Sequence, residues 1–177
     1  MLLDGVLEGD TVILKNLSKT NCTAEYVSWM SDSTTNKYME TRWGTQDAYS
    51  IYQFINAINK SDNSYLFGIF IKESGKHIGN IKIGPIDFNN NYADISYFIG
   101  DKKSRGKGYA KDAIATVCSF GFNTLNLHKI YAGVIKGNDA SMYVLNSCGF
   151  FMECTISAKY LVDGYYTDAI IFSKMMD

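Results

Sequence analysis

The sequence predicts an α/β (α+β) fold in a single domain that covers residues 1–177, and three observations lead to this prediction. Segments in which apolar and polar residues alternate, as in strands, are interspersed with segments in which apolar residues recur every three or four positions, as in helices. Three of the predicted strands follow one another with only short turns between them, which is typical of an antiparallel meander. With 177 residues, of which 46% are hydrophobic, the chain is long enough for one sizeable core and too short for two ordinary domains.

The first half of the chain predicts one strand, two helices and then the meander. The strand spans residues 11–15. The first helix covers residues 24–30 and follows Thr23, a residue type that caps helix N-termini, and the second covers residues 46–59, where apolar side chains form a broad stripe. Between the helices, residues 36–44 show no period and mix aromatic with charged side chains, which predicts a loop with a functional role. The meander strands are predicted at residues 65–71, 77–83 and 92–99.

The second half of the chain predicts a helix, a strand, a second helix and a final hairpin. The first of these helices carries its apolar residues on one face, namely Ala110, Ala113, Ile114, Val117 and Phe120. The next elements are a buried strand, a short helix and two hairpin strands, at residues 129–134, 140–146, 151–159 and 167–173.

Charge and cysteine usage narrow the possible partners and the compartment. The net charge is −1, so we expect no general attraction to nucleic acid or to an anionic membrane surface. The four cysteines form no Cys-x-x-Cys pair, so we expect neither a metal nor a disulfide framework, and reduced thiols in a cytoplasmic protein. The acidic N-terminus and the lack of a long apolar run predict neither a signal peptide nor a membrane span. Both a monomer and a homodimer remain open.

A glycine-rich segment, residues 103–108, lies between the third meander strand and the helix that follows it. Gly106 and Gly108 allow the backbone to turn tightly and to approach a ligand closely, and the first N–H groups of the helix have no internal partner. Three basic residues surround this helix start: Arg105, Lys107 and Lys111. The combination predicts a site for phosphate groups. The alternative is a surface turn that caps the helix and binds nothing.

Two blocks of the sequence resemble motifs of the GNAT superfamily, the acetyl-CoA-dependent N-acetyltransferases. Arg105-x-x-Gly108-x-Ala110 is similar to the family's pyrophosphate loop, Arg/Gln-x-x-Gly-x-Gly/Ala. Asn138-Asp139-Ala140-Ser141, followed by Cys148-Gly149-Phe150, resembles the Asn-x-x-Ser … Gly-Phe signature of the RimJ/RimL-like group, the relatives of the ribosomal-protein N-terminal acetyltransferases. Residues 159–168 resemble that group's final hairpin. The resemblance covers nearly the whole chain and implies the GNAT acyl-CoA N-acyltransferase fold, a mixed, mostly antiparallel sheet flanked by helices.

The resemblance also implies acetyl-CoA as co-substrate and indicates the residues that hold it. In the family, the strand before the loop pairs with the pantetheine arm as with a further strand, and this part of the strand corresponds to Tyr97, Phe98 and Ile99. The N–H groups of the loop bind the pyrophosphate, and the loop corresponds to Arg105, Gly106, Lys107, Gly108, Tyr109 and Ala110. Asn138 is expected to contact the cofactor arm.

Asp94 is the candidate general base. It lies eleven positions before Arg105, the position at which histone-acetylating members of the superfamily carry a catalytic glutamate, and a carboxylate there is able to take a proton from an ammonium group, directly or through water. The alternative reading is that Asp94 only marks the polar face of a strand, since Tyr92, Asp94 and Ser96 alternate with apolar residues.

Ser141 is the candidate residue near the thiol of the cofactor. Many GNAT proteins place a tyrosine as general acid seven residues after the asparagine of the second block, but this position is Leu145 here. In the RimJ/RimL-like group the serine that corresponds to Ser141 has a hydroxyl within reach of the thiolate. The alternative is an ordinary serine in the first turn of a helix.

The resemblance also implies an acceptor site at the loop between the first two helices, which is the family's variable loop, and residues of the final hairpin are expected to close its other side. Glu40 is able to pair with a cationic amine, and Trp43 offers a stacking face for a sugar or an aromatic ring. The candidate acceptor-binding residues are Tyr38, Glu40, Arg42, Trp43 and Tyr166.

Two hypotheses follow for the function. The first is an enzyme that transfers acetyl from acetyl-CoA to a primary amine, on a protein N-terminus or on a small molecule such as an amino sugar, by direct attack on the thioester. The second is a non-catalytic acyl-CoA-binding or regulatory module of the same fold, because the usual acid tyrosine is missing. Loss of turnover in Ser141→Ala with unchanged cofactor affinity would favour the enzyme.

Overall fold

The computed structural model describes residues 1–176, and within them eight strands form one sheet with helices on both faces. The strand order across the sheet is β1-β2-β3-β4-β5-β6-β8-β7. The strands are β1 (Val6–Glu8), β2 (Val12–Asn16), β3 (Tyr65–Ile71), β4 (His77–Asp87), β5 (Tyr92–Ile99), β6 (Lys129–Ile135), β7 (Phe151–Val162) and β8 (Tyr165–Met175). The helices are α1 (Ala24–Ser31), α2 (Ser33–Asn36), α3 (Ala48–Lys60), α4 (Tyr109–Asn123) and α5 (Asp139–Ser147).

The sheet is mixed and mostly antiparallel, as predicted. β5 and β6 form the one parallel pair between the described strands, and every other neighbouring pair is antiparallel. The meander of β3, β4 and β5 and the final hairpin are also confirmed.

Helices cover the two faces of the sheet with two separate hydrophobic clusters. α4 and α5 bury Ile114, Val117 and Leu145 in the larger cluster, on one face. α1 and α3 bury Trp29 and Ile55 in the smaller cluster, on the other face. Within residues 1–176, no helix combines the length and hydropathy that crossing a bilayer requires.

Several element boundaries differ from the prediction. β1 was missed because it has only three residues, too few to establish an alternation. The segment 36–44, predicted as a loop, contains the end of α2 and a 3₁₀ turn at Glu40–Trp43. β7 and β8 extend towards each other beyond the predicted bounds, because Asp163 and Gly164 adopt φ angles of +51° and +83° and make the tight two-residue turn that a twisted hairpin favours.

Candidate active site

The parallel pairing of β5 and β6 ends halfway along both strands. Their register pairs Tyr92 with Lys129 and ends at Asp94 with Tyr131, although β5 continues to Ile99. On its other edge, β5 stays paired with β4 as far as Ile99. From Ile95 to Phe98, β5 therefore has no strand partner on the side of β6, and backbone groups without a strand partner are able to pair with an extended ligand.

A cavity of about 510 Å³ passes through this gap. Residues 95–98 of β5 and residues 132–135 of β6 line its two sides, and Asn138 and Ser141 line it where α5 begins. Its opposite part lies under α1, α3 and the segment of residues 32–44, which we call the 32–44 segment. The cavity therefore connects the face of the sheet that α4 and α5 cover with the face on which α1 and α3 pack.

The loop before α4 is open and left-handed at two glycines. Gly106 and Gly108 have φ angles of +73° and +85°, a region that residues with a side chain adopt only at a cost. Apart from the glycine itself and its two neighbours in the chain, no heavy atom of residues 1–176 is found within 4 Å of the place that a Cβ of either glycine would take. α4 begins at Tyr109 without a side-chain cap, so its first N–H groups are free to bind an anion at this open surface.

Arg105 folds back onto the protein. Its Nε donates to the carbonyl oxygen of Ile99 at 2.9 Å, and its Nη2 donates to Oγ1 of Thr35 at 2.7 Å. These contacts fix the loop to the end of β5 and to the 32–44 segment. Lys107 and Lys111 are exposed beside the helix start, so they supply the mobile positive charge at this surface.

Asp112 anchors the first turn of α4 to the turn between β1 and β2. Its carboxylate accepts hydrogen bonds from the backbone N–H groups of Asp10, Thr11 and Val12 at 3.0, 2.7 and 3.0 Å, and from the Thr11 hydroxyl at 2.8 Å. A side chain at Gly9 would collide with this carboxylate, because its Cβ would lie 2.6 Å from Oδ1. The glycine loop therefore rests on a helix whose start is held in place.

The start of α5 is also held by hydrogen bonds, on the other side of the gap. Oδ1 of Asn138 accepts from the N–H of Ser141 at 3.4 Å, and the carbonyl oxygen of Ser141 accepts from Oη of Tyr97 at 3.3 Å. Burial raises the pKa of Tyr97 to about 12, so this hydroxyl keeps its proton at neutral pH. Ser141 itself borders the cavity.

Asp94 lies at the point where the two strands separate. It is on the same face of β5 as Ser96, and it is not among the residues that line the cavity. Partial desolvation raises the pKa of the Asp94 carboxyl group. The positive charges of Lys82 and Lys159 oppose this rise.

The structure divides the five candidate acceptor residues. Tyr38 and Glu40 line the cavity, whereas Arg42, Trp43 and Tyr166 do not. Nη1 of Arg42 donates to the carbonyl oxygen of Met39 at 2.7 Å and Nη2 to that of Leu161 at 3.3 Å. The guanidinium also lies 4.6 Å from the ring of Trp43.

Tyr166 is 75% exposed on β8. The hydrogen bond from Arg42 to Leu161 joins the 32–44 segment to the end of β7, so Arg42 is in a position to stabilise the conformation of that segment.

Comparison with protein families decides the classification. A model of the acetyltransferase (GNAT) domain matches residues 12–151, more than half of the chain. The chain belongs to the GNAT acetyltransferase family. It has the GNAT fold and is an enzyme of the N-acetyltransferase type.

Individual relatives are similar over most of this acetyltransferase. The uncharacterised N-acetyltransferase p20 of Bacillus licheniformis is 32% identical over 149 residues, 83% of this chain and 83% of that protein. The crystal structure of spermidine N-acetyltransferase from Vibrio cholerae, in complex with CoA and spermine, has a TM-score of 0.82 at 20% identity and covers 93% of this chain and 95% of that chain. RimL, a ribosomal L7/L12 α-N-protein acetyltransferase in complex with coenzyme A, has a TM-score of 0.86 at 13% identity over 98% and 99% of the two chains.

Sequence reasoning missed several residues that line the cavity of this acetyltransferase. The most informative is Lys82, a half-buried cation on β4 between the buried residues Ile81 and Ile83. A charged residue within a strand of apolar residues was the available signal. Other cavity-lining residues that were missed are Gln46, Phe54, Asn80 and Tyr160.

Proposed function

We propose that this acetyltransferase is a single GNAT domain, over residues 1–177, that uses acetyl-CoA to acetylate a primary amine on a peptide N-terminus or a small molecule. We also propose that it falls within the RimJ/RimL-like group. The similarity to RimL in fold and the Asn138 to Ser141 block support this placement.

The observation that carries the proposal is the end of β5–β6 pairing at Asp94 and Tyr131. Beyond it, the backbone of β5, which has no strand partner on the side of β6, faces a cavity that Asn138 and Ser141 border. An extended arm with amide groups, such as pantetheine, fits this gap because it is able to make the hydrogen bonds that a further strand would make.

The loop from Arg105 to Ala110 fits the pyrophosphate of acetyl-CoA, at the other end of the cofactor from the thioester. The open surface over Gly106 and Gly108 and the start of α4, which has no side-chain cap, fit a pyrophosphate, since the free N–H groups of a helix start bind anions. We propose that the loop from Arg105 to Ala110 binds through its backbone. The Arg105 side chain then holds the loop in shape, while Lys107 adds charge.

The chemistry requires few protein groups. Acetyl-CoA supplies the activated acetyl thioester: the amine nitrogen forms the new C–N bond, the C–S bond breaks, and the proton lost by the amine balances the charge of the sulfur. We propose that Asp94 takes that proton through water, since it lies where β5 and β6 separate but does not line the cavity. Ser141 is proposed to donate a hydrogen bond to the sulfur, because it borders the cavity in the first turn of α5.

Calorimetric titration tests the proposal first. Acetyl-CoA should bind, and a pantetheine fragment without the pyrophosphate should bind far more weakly, because it cannot reach the loop. The absence of acetyl-CoA binding would overturn the proposal.

Ser141→Ala provides the second test. We expect kcat to fall about 10–100-fold, the value of one charge-assisted hydrogen bond of about 1.5–3 kcal/mol, with an unchanged Kd for acetyl-CoA. Ala140→Ser is a matched control, because it adds a hydroxyl at the exposed neighbouring position of the same helix turn. Full activity of Ser141→Ala would remove Ser141 from the mechanism.

A further inference from the structure

Lys82 differs from the other charged residues around the cavity, because it lines the cavity and is half-buried. On β4 it lies opposite Ser96 of β5, and residues opposite each other in an antiparallel pair point to the same face. The neighbouring strands are about 4.8 Å apart. Lys82 therefore lies one strand away from the gap between β5 and β6, and its side chain is on the face under the 32–44 segment.

The protein does not neutralise this ammonium group directly. Among residues 1–176, no carboxylate lies within 4.0 Å of Nζ of Lys82 and no acceptor takes a hydrogen bond from it. The carboxylate of Asp94 acts on Lys82 at longer range, but it also acts on Lys159. The negative charge of Asp94 is therefore shared between two positive charges.

The other charged residue that lines the cavity does not change this balance. The side chain of Glu40 is 74% exposed and pairs with Nη1 of Arg42 at 3.5 Å. The rest of the described lining on this side carries no charge: it consists of aromatic, apolar, amide and hydroxyl side chains, as in Tyr38, Phe54, Gln46 and Thr41. The acceptor side of the cavity thus has a surplus positive charge.

Burial lowers the pKa of Lys82, while the charge of Asp94 raises it. The lowered pKa means that the charged form of Lys82 is incompletely solvated. A desolvated ammonium gains more from a facing anion than a fully hydrated one does, since water screens the attraction less.

We infer that Lys82 is a specificity-determining residue that binds an anionic group, a carboxylate or a phosphate, on the amine acceptor. The inference rests on the proposed function and gives it a substrate class: amines that also carry an anion, rather than polyamines. A polycation would bring its remaining ammonium groups towards Lys82, and like charges at a partly desolvated site repel.

The test compares acceptors that differ only in the anionic group. With acetyl-CoA saturating, CoA release is measured for tyrosine against tyramine, for glucosamine 6-phosphate against glucosamine, and for spermidine. We expect at least one anionic acceptor to exceed its neutral partner and spermidine about tenfold or more in kcat/KM. Preference for tyrosine assigns a carboxylate, and preference for glucosamine 6-phosphate assigns a phosphate.

Variants then connect that preference to Lys82. Lys82→Gln should lower kcat/KM for the preferred anionic acceptor about 10–100-fold, the value of a charged hydrogen bond, and should change the neutral partner less than threefold. Lys82→Arg should restore much of the preference because it keeps the charge. Lys60→Gln, at the exposed end of α3, controls for the loss of one positive charge, and circular dichroism confirms that each variant is folded.

The outcomes separate this inference from the proposed function. Turnover of amines without a preference for the anionic partner, or with spermidine as the best acceptor, overturns the inference alone. An equal loss of kcat/KM on both members of a pair in Lys82→Gln also overturns it.

If acetyl-CoA binds but no amine turns over, calorimetry of tyrosine and glucosamine 6-phosphate with CoA-saturated protein decides. Binding to the wild type that is lost in Lys82→Gln supports the inference, and no binding to the wild type overturns it. Failure to bind acetyl-CoA removes the proposed function and the inference with it.

Discussion

Oη of Tyr38 donates a hydrogen bond to the carbonyl oxygen of Gly137 over 3.0 Å, and this contact joins the two parts of the cavity. Tyr38 belongs to the 32–44 segment, whereas Gly137 precedes Asn138 at the start of α5. This hydroxyl therefore ties the acceptor side directly to the turn that we propose contacts the cofactor arm.

Tyr38→Phe removes this hydrogen bond and keeps the ring in the cavity lining. We expect KM for the amine to rise about two- to tenfold, from a loss of about 0.5–1.5 kcal/mol, with little change in the Kd of acetyl-CoA. Steady-state kinetics with varied amine measure the first quantity and calorimetry the second.

Tyr49→Phe is the matched control, because Tyr49 is 69% exposed and does not line the cavity. If both variants behave as the wild type, the Tyr38 contact does not contribute to acceptor binding.

Gly108→Ala tests the proposed pyrophosphate loop. Alanine at a φ of +85° costs about 1–2 kcal/mol, and its methyl group would stand in the open space over the helix start. We expect the Kd of acetyl-CoA to rise about tenfold, which corresponds to about 1.4 kcal/mol, as measured by calorimetry.

Gly75→Ala separates this effect from backbone strain. Gly75 also has a left-handed φ of +68° and open space around its Cβ position, but it lies in the turn between β3 and β4. Both variants should lose a similar amount of stability, and Gly108→Ala alone should bind acetyl-CoA more weakly. Equal affinity in the two variants would argue that the loop is only a turn.

The limits of sequence reasoning are visible in three residues of the site. Gly108 was identifiable because its neighbours form a local strand–glycine–helix pattern. Lys82 was not identifiable, because its access to the cavity depends on the separation of β5 and β6. This is a tertiary feature that the local sequence pattern does not predict. The position of Arg42 in its segment predicts a role in the acceptor pocket, and only the hydrogen bond from its guanidinium to the carbonyl oxygen of Leu161 shows that this group is turned into the protein. A turn that depends on local residues can thus be predicted from the sequence, whereas the direction in which a side chain points after the elements have packed cannot.

Asp94→Asn tests the proposed base. Desolvation raises the pKa of Asp94, and a base acts only when deprotonated, so activity that depends on it should fall as the pH drops through this raised pKa. The variant should lose about 10²–10⁴-fold in kcat, a typical contribution of general base catalysis, together with the acid limb of the pH profile of kcat.

Asp4→Asn removes the same charge at an exposed position near the N-terminus and should leave both quantities unchanged. A pH profile of Asp94→Asn that matches the wild type would reduce Asp94 to a residue of the polar strand face.

Asp112→Asn tests the anchor of the glycine loop through the pH dependence of stability. Desolvation alone would raise the pKa of Asp112, but hydrogen bonds from Thr11, Asp10 and Val12 outweigh it and lower the pKa. A carboxyl group with a lowered folded-state pKa stabilises the fold above its unfolded-state pKa of about 3.9, and that stability is lost as the pH falls through the folded-state value. The wild type should therefore exceed Asp112→Asn by about 1–2 kcal/mol at pH 7, and the difference should shrink below about pH 4.

Thermal unfolding followed by circular dichroism between pH 7 and pH 2 measures this difference, which corresponds to a Tm shift of about 2–4 °C for each kcal/mol in a chain of this size. Asp10→Asn is the control: it removes a charge from the same turn, but the Asp10 carboxylate accepts no hydrogen bond from residues 1–176, so its Tm should stay near that of the wild type. Asp112 holds the helix whose first N–H groups form the proposed pyrophosphate site. Asp112→Asn should therefore also weaken the binding of acetyl-CoA at a temperature where the variant is still folded. A pH-independent Tm difference, or a similar loss in Asp10→Asn, would show that the carboxylate of Asp112 is not what anchors the loop.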